Sequence, residues 1–170
     1  VGHWYLSLLL LAVFFVFNGT AANSLALAQI TKPYNAVIAH GFSHIQIDEA
    51  GGPSYMSGGA TLMTADTPSA KLTPAAVEEL ATKFVGVHHV KPAALSLTQS
   101  TEVGTVYALD ELRALTSVAK QHNLRVHMDG ARFANATATT GATPAELSWK
   151  SGVDILCFGG VKNGLAVGEC

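Results

Sequence analysis

The chain has 170 residues, of which 49% are hydrophobic and 13% charged, and its formal net charge is −2. That length suits one domain with a sizeable core, and the weak negative charge excludes attraction to nucleic acid or to an anionic membrane as the main theme. Its two cysteines, Cys157 and Cys170, have neither disulfide-framework nor metal-ligand spacing, which points to a reducing, cytoplasmic setting.

The run from Trp4 to Phe17 is apolar apart from Ser7. No basic residue precedes it, as one would precede a secretory signal core, and it falls short of the roughly 20 residues that span a bilayer. The expected arrangement is a short helical piece to about Leu11 and a buried strand over Ala12–Phe17, with a membrane-directed segment as the alternative. Asn18-Gly19-Thr20 then leads into a helix-like run, Ser24–Gln29. Such a turn can bind a phosphate through free backbone N–H groups, the helix dipole and the Thr20 hydroxyl, or it can be a plain helix cap.

Ala36–Ala39 reads as a strand, and His44 lies just past its end, where open α/β sheets gather ligands. The imidazole can lie flat on a planar ligand or be hydrogen-bonded in a loop. Pro53–Gly59 reads as a loop and Ala60–Thr64 as a strand. Thr73 caps a helix that starts at Pro74 and runs to about Phe84, with Val77, Leu80, Ala81 and Phe84 on its apolar face. His88 and His89 follow in a loop with no further ligand at metal spacing, so no metal site is expected.

Ala93–Leu97 reads as the next strand and opens into a polar loop, Thr98–Thr105, which can line a pocket or be merely solvated. Leu109–His122 is an amphipathic helix, and Leu124–Met128 a strand ending in Asp129-Gly130-Ala131-Arg132. A carboxylate at a buried strand end needs a cationic partner, either Arg132 or a ligand atom. Thr143 and Glu146 have capping-box spacing. The last strand, Asp154–Phe158, runs into Gly159-Gly160-Val161-Lys162. The two glycines allow a sharp turn and a close approach to a ligand. Lys162 is either a surface residue or a desolvated amine able to attack a carbonyl. Strands alternate with helices, which predicts an α/β fold with a mostly parallel sheet. Asp129 and Lys162 are 33 residues apart, about one strand-helix-strand unit, so both can reach one edge of that sheet. A lysine, an acid and an anion-binding turn are the parts that pyridoxal phosphate requires.

The stretches FNGTAAN, SHIQIDEAGG, SLTQSTEVGTVY, HMDGARFANA and DILCFGGVKNG occur in that order. Together they resemble the low-specificity L-threonine aldolases of the fold-type-I pyridoxal-phosphate group, from about Phe14 to Glu169. The resemblance implies a three-layer sandwich around a mostly parallel sheet. It implies that Lys162 carries the cofactor, Asp129 holds its ring nitrogen, His44 stacks on its ring, and Gly19 and Thr20 bind its phosphate. Arg132 would hold the substrate carboxylate. The implied reaction cleaves L-threonine or L-allo-threonine to glycine and acetaldehyde in a homodimer or homotetramer, with His44, a water or His88 as the base. The sequence departs from the family pattern in places. The polar loop lacks a histidine that some members carry, and Val161 stands where a hydroxyl residue commonly precedes the lysine. The chain reads as a large domain truncated at both ends, without the C-terminal small domain, and little or no turnover is expected from these residues alone.

Overall fold

Short apolar runs become the five strands of one sheet: β1 (Asn35–His40), β2 (Thr61–Ala65), β3 (Lys91–Thr98), β4 (Arg125–Gly130) and β5 (Ile155–Phe158). The computed structural model describes residues 12–170. All neighbouring strands are parallel, in the order β2-β1-β3-β4-β5. Parallel neighbours need long crossovers, and helices supply most of them. The helices are α1 (Gly19–Ile30), α2 (His44–Ile47), α3 (Gly52–Met56), α4 (Pro74–Thr82), α5 (Leu109–Gln121), α6 (Phe133–Thr140) and α7 (Pro144–Leu147).

Side chains alternate across the pleat, so each strand feeds two cores. Ala36 and Ile38 of β1 join the larger core, with Leu95 and Leu97 of β3 and Val126 and Met128 of β4. Val77 and Leu80 of α4 and Leu112 and Leu115 of α5 cover that side. Val37 and Ala39 point the other way, against Leu27 of α1 and Ile45 of α2. Helices thus lie on both faces, giving the expected three layers. Ile38, Leu95, Leu97, Leu112, Leu115 and Met128 are each at most 1% exposed. Burial of each contributes about 2 kcal/mol before the cost of ordering is counted.

Local chemistry fixes the helix starts. Asn18 Oδ1 accepts from the Ala21 N–H at 2.8 Å, and Thr73 Oγ1 accepts from Ala76 at 3.2 Å. Thr143 and Glu146 form the expected reciprocal capping box.

Three expectations need correction. Ala12–Phe17 is not a buried strand. Val16 alone makes an antiparallel bridge, to Glu169, while Phe14, Phe15 and Phe17 are largely exposed. A run of Val and Phe has strand propensity, but a strand also needs a neighbour along its length. Pro53–Gly59 is not all loop, because Pro53 sits in the first turn of α3, where its missing N–H costs nothing. Phe84 lies beyond α4 and is 43% exposed, stacked on His89 rather than buried. The helical reading up to Leu11 falls outside the described residues. Among the described residues no helix is long and apolar enough to cross a membrane.

Candidate functional site

The carboxyl ends of the strands open into a cavity, the place where open α/β sheets bind ligands. Asp129 reaches it from the end of β4 and Lys162 from the turn after β5, while His44 starts α2 just beyond β1. Gly19 and Thr20 contribute the first turn of α1, and Arg132 follows β4. All six residues singled out from the sequence therefore line one cavity. Asn18, Asn23, Cys157 and Glu169 also line it. His88 does not line it.

Lys162 and Asp129 are brought together by strand adjacency. Asp129 pairs in register with Cys157 of β5, five residues before Lys162. The lysine sits in a single 3-10 turn, Val161–Asn163. Asn163 clasps that turn to the end of β4. Its Oδ1 accepts from the Ala134 N–H at 2.9 Å, and its Nδ2 donates to the Gly130, Ala131 and Gly159 carbonyls. Replacing Asn163 with alanine strands these backbone groups. The expected loss is about 1–3 kcal/mol of unfolding free energy, measured by denaturant titration.

The two glycines before Lys162 serve close packing of main chain on main chain. A β-carbon on Gly159 would stand 2.5 Å from Ala131 Cα, and one on Gly160 would stand 2.1 Å from the Gly168 carbonyl oxygen. They admit neighbouring backbone, and Gly159 also lines the cavity, where the sequence reading expected a ligand.

Asp129 is 5% exposed, and its partners differ from the expected arginine. Its Oδ1 accepts from the Ala131 N–H at 2.9 Å, and its Oδ2 accepts from Asn23 Nδ2 at 3.0 Å. Among the described residues no ion pair joins it to Arg132. A carboxylate this buried with only neutral donors is poised for a cationic atom of a ligand.

Asn23 and Glu49 escaped the sequence reading. Glu49 is 4% exposed and accepts from Asn23 Nδ2 at 2.7 Å. Its Oε1 also lies 2.9 Å from His44 Nδ1. Burial pushes the Glu49 carboxyl above its ordinary range, and the hydrogen bonds from Asn23 and His44 pull against that rise. A five-residue gap between His44 and Glu49 does not put them on one helix face. The pair forms because α2 ends after one turn: Asp48 caps it with its N–H on the His44 carbonyl, and the chain leaves helical geometry there, which returns Glu49 to the His44 ring. For Asn23 a weak signal existed: an amide in an Ala- and Leu-rich helix is out of place unless it has a partner.

The polar loop after β3 is neither simply solvated nor a plain pocket wall. Gln99, Ser100 and Thr101 are buried, and Gln99 exchanges two hydrogen bonds with the Tyr107 backbone. From this loop Glu102 Oε1 accepts the His44 backbone N–H at 2.8 Å, fixing the start of α2.

Beneath Asp129 lies a second buried polar row. His127 Nδ1 is 2.9 Å from Ser96 Oγ, and His127 Nε2 is 3.3 Å from Cys157 Sγ. Burial lowers the His127 pKa to about 4, so the ring is neutral. Burial, with the Asp129 and Glu49 carboxylates nearby, pushes the Cys157 thiol up. Although it lines the cavity, Cys157 is an inert thiol there.

The donor set suits a phosphorylated, cationic heterocycle. The first N–H groups of α1 lack intrahelical acceptors, as at any helix start, and Thr20 adds a hydroxyl. A buried acid and a free amine face the same space. Among the described residues, Asn23 Oδ1 and Glu169 Oε2, on two lining residues, are buried without a hydrogen-bond partner.

The layers and the placement of the cavity are those of the large domain of fold-type-I pyridoxal-phosphate enzymes. The threonine aldolase structure from Leishmania major superposes with a TM-score of 0.87 at 32% identity, over 93% of this chain and 46% of that one. A family model described as Beta-eliminating lyase matches residues 10–169, and the chain belongs to that family. It is 55% identical over 157 residues to the low specificity L-threonine aldolase of Pseudomonas aeruginosa, across 92% of this chain and 45% of the relative. It is also 35% identical over 134 residues to an alanine racemase of Cochliobolus carbonum, across 78% of this chain and 34% of the relative. The chain thus spans less than half the length of these relatives.

Proposed function

We propose that these residues form the cofactor-binding part of a pyridoxal-phosphate-dependent carbon–carbon lyase. Its substrates are L-threonine and L-allo-threonine, cleaved to glycine and acetaldehyde. The observation that carries this reading is the meeting of Lys162 and Asp129 in one cavity from neighbouring strand ends, beside the start of α1. The 55% identity to a threonine aldolase supports the choice of substrate.

Each residue has a role suited to its position. The Lys162 amine would hold the cofactor through its aldehyde. Asp129 keeps a proton on the ring nitrogen. Gly19 and Thr20 bind the phosphate with backbone N–H groups and a hydroxyl. His44 would lie against the ring face, and Arg132 would pair with the substrate carboxylate. His44 or a water takes the proton of the β-hydroxyl. When bound, pyridoxal phosphate serves as the electron sink for the pair left on Cα. In this reading the chain is part of a large domain. A small domain and a homodimeric or homotetrameric arrangement in the cytoplasm complete the enzyme.

The racemase relative favours a second reading, in which the same cofactor residues serve chemistry that breaks Cα–H instead of Cα–Cβ. A product assay on the protein that carries these residues separates the two. Glycine and acetaldehyde from L-threonine, with no D-alanine from L-alanine, is the expected result. D-alanine without glycine overturns the aldolase assignment, and pyruvate from L-cysteine would instead mark a β-eliminating lyase.

A further inference from the structure

One amide ties the two buried acids of the site together. Asn23 Nδ2 donates to Glu49 Oε1 at 2.7 Å and to Asp129 Oδ2 at 3.0 Å. The same Glu49 oxygen lies 2.9 Å from His44 Nδ1. The Glu49 side chain has no exposed area, whereas that of His44 is 33% exposed, on the cavity side. An oxygen that accepts one N–H from Asn23 and is fully enclosed is best satisfied by a second donor. That assigns the hydrogen to His44 Nδ1. A neutral imidazole protonated on Nδ1 has its lone pair on Nε2. Among the described residues, Nε2 makes no hydrogen bond.

The imidazole is held from two directions, by Glu49 at its ring and by Glu102 at its backbone N–H. The other charged groups around the cavity are Asp129, Arg132, Lys162 and Glu169.

We propose that Glu49 and Asn23 are positioning residues for the lyase reaction: Glu49 holds His44 in the Nδ1–H form with Nε2 as the base, and Asn23 locks Glu49 to Asp129. This rests on the function proposed above. His44 Nε2 takes the β-hydroxyl proton, the O–H electron pair becomes the second bond of the aldehyde carbonyl, and the Cα–Cβ pair stays on Cα. The proton count closes when Cα gains a proton and Nε2 releases one. The bridge also ties one residue, Asn23, directly to Asp129 and, through Glu49, to the His44 imidazole.

The test reads the tautomer directly. Long-range ¹H–¹⁵N spectra of histidine-labelled protein, without cofactor and at a pH where imidazoles are neutral, distinguish Nδ1–H from Nε2–H. The His44 signals are assigned by their loss in His44→Gln. The wild-type protein is expected to show Nδ1–H, Glu49→Ala a mixture, and Glu49→Gln the wild-type pattern, because its amide oxygen still accepts. Rescue by glutamine separates this role from a general packing defect. In the loaded enzyme, Glu49→Ala is expected to lower kcat by about 10²-fold with KM little changed, the scale of losing a positioned base. An Nε2–H pattern in the wild-type protein overturns the inference, even if Glu49→Ala proves unable to fold. Failure of pyridoxal phosphate to bind would instead sink the functional reading, and the tautomer result would stand apart from it.

Discussion

Lys162→Ala is expected to abolish the absorbance band near about 420 nm that forms when pyridoxal phosphate is added, because only an amine can form the Schiff base. Lys162 is an exposed residue on a turn, so the variant is expected to fold with nearly unchanged stability. Loss of the band in a folded protein then reports on chemistry alone. Gly19 and Thr20, proposed to hold the phosphate, and the Asp129 carboxylate remain, so the cofactor is expected still to bind, noncovalently and more weakly. Gel filtration or ultrafiltration with the cofactor's own absorbance measures that residual affinity. A band that persists in Lys162→Ala would remove the lysine from its assigned role and leave the cavity without a covalent anchor.

A second large effect concerns stability against acid. The folded protein keeps His127 neutral down to a pKa of about 4 because burial disfavours the charged ring. The unfolded chain takes up that proton near the ordinary value of 6.5. Between those limits the unfolded state binds more protons, so stability is full above pH 6.5 and falls as pH drops toward 4. The gap corresponds to about 3 kcal/mol, a large part of the total for a domain of this size. Glu49 acts in the opposite sense, because its carboxyl is raised by burial and its protonation favours the folded state at low pH. Comparing wild-type protein with His127→Asn isolates the histidine. The slope of unfolding free energy against pH should flatten in the variant across that window. Parallel slopes would mean that His127 is already charged, or solvated, in the folded protein.

Much of the architecture was legible from local pattern. The apolar runs that became β1, β3, β4 and β5 are bounded by turn residues, and Thr-Pro pairs marked the starts of α4 and α7. Where the pattern misled, the missing information was tertiary. Val13–Phe17 has the composition of a buried strand, yet only Val16 meets a partner backbone. The site divides in the same way. Asp129 and Lys162 each follow an apolar strand, so their position alone pointed to the sheet edge. Asn23 and Glu49 carry no such marker. Their partners lie 26 and 106 residues from Asn23, and only the closed fold defines them. The glycines before Lys162 were recognisable as necessary, but the backbone they make room for was not.

The Asn163 clasp bears on how the fold breathes. Its hydrogen bonds join the turn bearing the amine to the chain just past the acid, and Gly159 packs its main chain against Ala131 within the same patch. Neither segment can swing outward without dragging the other. The two reactive groups therefore belong to a single cooperative opening unit, and their mutual alignment outlasts fluctuations elsewhere around the rim.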